Sequence, residues 1–267
     1  MSKSAFVCGD THGKVFDRIY DANLPPDDTL IILGDNGLNF FLDERDKKEK
    51  EHVQASGVNV YCLRGNHDVR PQALLTMEKI YDYETENFVY REPAYPNIRY
   101  LIDGSTYQFG DYSALVIGGA YSIDRNFRLS QIRKDGWCGW WPDEQLYECE
   151  KQKILRRVHR SNADFIFTHT CPLEFQPKDL FRSFVDQSTI DNSMEQFLSK
   201  VSKEVKWNIW LFGHYHQDRI EIPYVEQFYE NIESLDDIHE RWFGEDAKYL
   251  QAMKRKSPRY FYGKFDN

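Results

Sequence analysis

Five short runs of apolar, β-branched and aromatic residues, each breaking into a polar turn, constrain this chain of 267 residues more than any other feature. They are Ser4–Cys8, Thr29–Leu33, Val58–Leu63, Asp164–Thr168 and Trp207–Phe212. Runs of this length and make-up read as buried strands. Helix-like stretches lie between them, at Val15–Ala22, Glu44–Ser56, Pro71–Tyr81, Glu144–His159 and Asn192–Lys203. Alternating strands and helices point to an α/β sheet. The segment Arg99–Ala120 departs from this alternation. Its runs at Arg99–Ile102, Ser105–Gln108 and Ala114–Ile117 are joined by glycine-containing turns and read as hairpin strands, so a mixed sheet or two sheets is expected. The aromatic and charged tail, Ile220–Asn267, has helical patches near Val225–Ile232 and Glu245–Lys254. It is expected to pack as a C-terminal extension on a core of residues 1–220, within a single domain of residues 1–267.

Every strand end carries groups able to bind a cation. The first gives Gly9-Asp10-Thr11-His12-Gly13, the second Gly34-Asp35-Asn36-Gly37, and the third Arg64-Gly65-Asn66-His67-Asp68. The fourth gives Thr168-His169-Thr170 and the fifth Gly213-His214-Tyr215-His216. In open α/β sheets ligands gather outside the carboxyl ends of the strands, so five such ends can converge. Glycines in four of the five turns allow close backbone approach. Carboxylate, amide oxygen and imidazole suit Mn²⁺, Fe or Zn²⁺. Asp10 with His12, and His214 with His216, form pairs two residues apart. Together with Asp35, Asn66 and His169 they exceed the needs of one ion and suit two. His52, His159 and His239 sit in helical, charged surroundings and read as surface or packing residues.

Composition narrows the functional classes. Hydrophobic residues make up 41% and charged residues 29%, as in soluble globular chains. No apolar run approaches the ~20 residues of a membrane span. The first residues lack the features of a signal peptide, which places the expected location in the cytoplasm. Five cysteines without a CxxC pair suggest neither a disulfide framework nor a thiolate zinc site. A net charge of −9 argues against sequence-independent nucleic-acid binding. It says little about a small anionic substrate, because local metal charge can dominate a pocket.

Asp10-x-His12, Gly34-Asp35, Gly65-Asn66-His67-Asp68, His169 and Gly213-His214-x-His216 resemble the five motifs of the calcineurin-like metallophosphoesterase superfamily. The likeness runs from Asp10 to His216. It implies a four-layer αββα sandwich, two mixed sheets between outer helices, with the metal site at the strand ends. It also implies two divalent ions, Mn²⁺ first, with Fe, Zn²⁺ or Ni²⁺ as alternatives. Asp10, His12, Asp35 and His216 would hold one ion. Asp35, Asn66, His169 and His214 would hold the other, with Asp35 bridging. His67 would meet the substrate without being a ligand. Two departures narrow the branch. Protein Ser/Thr phosphatases continue the second motif with Asp-Arg where Leu38 and Asn39 stand here, and purple acid phosphatases place a tyrosine at Leu38. Gly118–Arg125 and Gly139–Pro142 resemble uncharacterised metallophosphoesterases of bacteria and phages.

The resulting expectation is hydrolysis of a small phosphorylated substrate, monoester or diester and nucleotide-like or otherwise, by a hydroxide held between two cations. Metal binding lowers the pKa of water from near 16 to about 7. Imidazolium at His67 would stabilise charge or protonate the leaving alkoxide, Asp68 would orient it, and Arg64 would add a phosphate contact or a structural salt bridge. A phosphoprotein phosphatase is weakened by Leu38 and Asn39. A nuclease acting on single strands would need a basic track, for which Lys151–Arg157 is the best candidate. Substrate selection is expected in Tyr121–Trp141, which offers Asp124, Arg125, Arg128, Arg133, Lys134, Trp137, Trp140 and Trp141. Its tryptophans have an alternative role as core.

Overall fold

The computed structural model describes residues 4–135 and 139–244. Its strands, in chain order, are β1 (Ala5–Cys8), β2 (Thr29–Ile32), β3 (Asn59–Cys62), β4 (Glu78–Asp82), β5 (Asn87–Arg91), β6 (Ile98–Tyr100), β7 (Ser105–Phe109), β8 (Tyr112–Ile117), β9 (Asn162–Thr168), β10 (Lys206–Phe212), β11 (Arg219–Ile222), β12 (Val225–Gln227) and β13 (Glu233–Ser234). The helices are α1 (Val15–Asp21), α2 (Glu44–Ser56), α3 (Arg125–Asp135), α4 (Glu148–Val158), α5 (Ser193–Glu204) and α6 (Leu235–Phe243).

Two mixed sheets result. One has the order β13-β1-β2-β3-β6-β5-β4 and the other β11-β12-β10-β9-β8-β7. Parallel register sets Val7 beside Ile31 and Ile31 beside Tyr61, and one residue on sets Cys8 beside Ile32 and Ile32 beside Cys62. Successive strand side chains point to opposite faces, so these two rows serve different layers. Val7, Ile31 and Tyr61 join the cluster that contains the second sheet, while Cys8, Ile32 and Cys62 join Val15, Ile19 and Val53 from α1 and α2. Phe109 locks the sheets together, meeting Tyr61 edge-on at 5.3 Å and Phe167 at 6.1 Å. On the far side, α5 buries Met194, Phe197, Leu198 and Val201, a spacing that makes one helical face. The strands are therefore hydrophobic on both faces, as strands covered on both sides must be.

Local chemistry sets the helix ends. The Asp43 carboxylate accepts from the Arg45 amide at 2.9 Å to start α2, and Gly57 at φ 77° ends it. No described helix is long and apolar enough to cross a membrane.

Several expectations change. The Pro71–Tyr81 stretch is not a helix. It holds a three-residue 3-10 turn, Pro71–Ala73, and then β4, whose Ile80 pairs with Val89 of β5. The long-range partner outweighs the local helical pattern. β6 lies in the first sheet, parallel to β3, while β7 and β8 form a hairpin in the second, so the three runs do not make one hairpin group. The patch expected to be helical near Val225–Ile232 holds strand β12 over Val225–Gln227 and no helix. Residues 221–244 pack into the core: β12 pairs with β10, β13 pairs with β1, and the fully buried Trp242 of α6 donates to Glu226 at 2.5 Å. The patch at Glu245–Lys254 lies outside the described residues.

Candidate metal centre

The loops after β1, β2 and β3 leave the carboxyl ends of adjacent parallel strands in one sheet, and those after β9 and β10 do so in the other. Backbone bonds hold these loops together. His12 N donates to the Asp35 carbonyl at 2.8 Å, and Gly213 N donates to the His169 carbonyl at 3.0 Å. Carboxylates complete the weave, Asp10 Oδ1 accepting from His214 N at 2.9 Å and Asp35 Oδ1 from His67 N at 2.8 Å. Two glycines make that contact geometrically feasible. A Cβ at Gly65 would sit 2.0 Å from Asp35 Oδ1, and one at Gly213 would sit 2.5 Å from Asp10 Oδ1. Four of the proposed ligands, His12, Asp35, His214 and His216, have φ between +47° and +71°, although none is glycine. Such conformations carry strain and persist where surrounding contacts enforce them.

Two donor groups converge. Asp10, His12 and His216 form one. His216 Nε2 lies 3.0 Å from Asp10 Oδ2 and 3.0 Å from His12 Nε2. Asp10, Asp35 and His169 form the other, with His169 Nε2 3.5 Å from Asp35 Oδ1 and 2.9 Å from Asn66 Oδ1. Asp10 is the carboxylate common to both groups, whereas the resemblance gives that place to Asp35. The His214 ring lies 4.9 Å from the His169 ring, and its nitrogens fall outside the two tight groups. Oxygens and imidazole nitrogens facing one another around a point suit a divalent cation, so the residues present fit a metal site. His169 Nδ1 donates to the Leu33 carbonyl at 2.7 Å, which leaves Nε2 facing the cluster.

The charges behave accordingly. Burial pushes the His169 pKa down, but the Asp35 and Asp10 carboxylates outweigh it and raise it to about 9. Burial would raise Asp10 and Asp35, yet His169 and its neighbours hold both below the usual carboxylate range. A protonated imidazole thus offsets the two buried anions. Burial and the neighbouring His169 charge press His214 down to about 3, leaving it neutral.

The predicted residues that are not ligands divide. His67 lines the cavity, with Nε2 3.9 Å from Asp35 Oδ2 and 3.3 Å from Arg128 Nη2. Burial first, and then the Arg128 charge, lower its pKa. Asp68 does not orient it. Its carboxylate accepts from the backbone amides of Gly65 at 2.8 Å and of Asn36 and Gly37 at 3.3 Å, binding the second loop to the third. Arg64 does not reach the cavity either. It is 5% exposed and donates to the Glu144 carbonyl at 2.7 Å and to Asp103 at 3.3 Å, the structural role allowed for it. Trp140 is buried, with the Arg125 guanidinium 4.6 Å above its ring, and neither is among the residues that line the cavity. The side chains of Arg133 and Lys134, and Trp137, lie outside the described residues. In the Lys151–Arg157 run, Lys151 is buried on Ser193 and Arg157 donates to the Gly104 carbonyl, away from the cavity.

Two participants, Ser122 and Tyr215, lie within quoted stretches of sequence that gave neither of them a role of its own. Asn66 Nδ2 donates to Ser122 Oγ at 2.9 Å, and Ser122 Oγ donates to Glu144 Oε2 at 2.5 Å. Because Glu144 takes the hydroxyl proton, Ser122 can only accept from Asn66, and the amide oxygen is turned toward His169 and the cluster. Tyr215, between the two histidines of the fifth motif, is anchored at 3.1 Å by the Thr170 hydroxyl, which donates to Glu195 at 2.8 Å.

The model of the calcineurin-like phosphoesterase family matches residues 4–218, most of the chain and all five loops. The chain belongs to the calcineurin-like phosphoesterase family. This family membership makes it a metal-dependent phosphoester hydrolase. A search of curated proteins finds no match. Among solved structures, one crystal structure aligns over 89% of this chain and 96% of its own, at 13% identity and a TM-score of 0.47. That score carries no argument about function.

Two outcomes test the centre of this phosphoesterase. A cation must displace the proton on His169, so binding near pH 7 should release about one proton or more, and affinity should rise with pH until it levels near pH 9. Calorimetry in buffers of different ionisation enthalpy measures this, and buffer-independent heats would contradict it. Ser122→Ala frees the Asn66 amide to rotate and should weaken binding at that ligand by about 10–100-fold, as losses behind metal ligands do. A metal titration of the folded variant reads the change.

Proposed function

We propose that this chain hydrolyses a small phosphate ester, using two divalent cations, Mn²⁺ before Mg²⁺. The observation that supports it most is the meeting of two buried carboxylates with histidines from both sheets at one end of a cavity of about 410 Å³. Asp10, His12 and His216 would hold one ion, and Asp35, Asn66, His169 and His214 the other. When bound, such ions supply positive charge against the phosphoryl oxygens and lower the pKa of the attacking water.

The remaining work falls to the chain. Arg128 is held by Asp124 at 2.7 Å and by the Gly139 carbonyl at 2.7 Å, so its guanidinium is fixed beside His67. Without substrate, Arg128 and Asn66 both direct N–H groups at His67 Nε2, at 3.3 and 3.2 Å. A phosphate oxygen arriving there gives Arg128 an acceptor of opposite charge and allows His67 to carry a proton. As water, having given up a proton to solvent, adds to phosphorus and the P–O ester bond breaks, protonated His67 donates its proton to the departing oxygen. Leu38 and Asn39 take no part. Leu38 is buried under α1 and α2, and Asn39 bonds Tyr100 at 2.7 Å and Lys50 at 3.0 Å, which weighs against phosphoprotein substrates.

His67→Ala should lower the rate constant by about 10²–10⁴-fold, the range of general acid catalysis, with metal content unchanged. Esters with strongly acidic leaving groups should suffer less. Loss of an ion in the variant, measured by elemental analysis, would make His67 a ligand and refute this role.

A further inference from the structure

The ligand residues form only part of the cavity. Apolar side chains make up much of the rest of its lining, among them Phe40, Phe41, Ile123, Leu180, Phe181 and Val185. Phe40 meets the His67 ring edge-on at 6.2 Å, so the apolar lining begins where the leaving oxygen would receive its proton. Phe181 stacks on Tyr215 at 6.4 Å with an interplanar angle of 21°, which ties this part of the lining to the loop after β10. A bare phosphate or a sugar phosphate would leave these side chains facing water. A cavity of about 410 Å³ has room for a phosphoryl group together with a ring-sized organic group.

We infer that the cavity selects phosphate esters whose organic group is an aromatic ring system, an aryl group or a nucleobase, seated against Phe40 and Phe181. This rests on the phosphoesterase reading of the same site. Aromatic rings gain over alkyl chains of equal area here, because ring pairs attract beyond the burial of surface. Arg128, beside His67 and 5.9 Å from the Phe40 ring, places a positive charge where ring and phosphoryl group join.

Calorimetry on the manganese-loaded protein tests the inference with methylphosphonate, hexylphosphonate, phenylphosphonate and adenosine 5′-monophosphate. Phenylphosphonate should bind at least about 10-fold tighter than methylphosphonate and tighter than hexylphosphonate. Phe181→Ala should bring phenyl and methyl affinities within about 3-fold, with methylphosphonate binding retained as proof of an intact phosphate site. Phe40→Leu, which keeps apolar bulk, should remove the preference for phenyl over hexyl, and it decides the matter if the alanine variant does not fold. Tighter binding of the nucleotide than of phenylphosphonate assigns the ring to a base, and weaker binding assigns it to an aryl group. If methylphosphonate binds and phenylphosphonate binds no better, or hexylphosphonate matches it, the inference is overturned. If methylphosphonate itself fails to bind, the phosphoesterase reading beneath it falls instead.

Discussion

Two carboxylates buried side by side, Asp10 at 1% and Asp35 at 2% exposure, are the constraint on which the rest of this structure depends. Removing such charges from water costs several kcal/mol each unless a counter-charge meets them. The chain brings histidines to them from three other loops, and a protonated His169 supplies positive charge while no cation is bound. Much of the architecture serves this encounter. Parallel register aligns the strand ends, glycines clear space for the carboxylate oxygens, and four of the proposed ligands, His12, Asp35, His214 and His216, adopt left-handed backbone conformations. The loops also direct backbone amides to Asp10 and Asp35, and to Asp68, which binds the second loop to the third, so the site is stiffened around the two carboxylates.

The ligand loops were legible in the sequence because each pairs an apolar run with a residue type that has few other reasons to end a strand. Asp10, His12, Asp35, Asn66, His169 and His216 all arrive where that pattern puts them. The fold was legible for a related reason: strands covered on both faces are continuously apolar. Illegible parts depended on distant partners. Pro71–Tyr81 has a helical pattern, but Ile80 answers to Val89 across a hairpin. Val225–Gln227 becomes a strand because β10 offers it an edge.

The charged residues of the third loop serve backbone groups. Arg64 and Asp68 flank Asn66 and His67, yet both turn away to satisfy backbone groups that the tight loop would otherwise leave buried and unpaired. The residues that orient Asn66 and line the cavity have no such signature. Ser122 follows the Gly118-Gly119 turn, but only the hydrogen bond from Asn66 shows its role. Leu180, Phe181 and Val185 belong to a stretch of turns with no periodicity. Arg128 lay inside the segment expected to select substrate, and the structure brings it, not Arg125 or Trp140, to the cavity.

Metal stoichiometry measured with hydrolysis on the same sample tests the central claim most directly. The chelated protein, titrated with Mn²⁺ in equilibrium dialysis, should take up about two ions per chain and gain activity as it does so. Asp35→Asn should bind at most one and remain inactive. A chain that binds no Mn²⁺, or that hydrolyses esters at full rate while metal-free, would contradict the account.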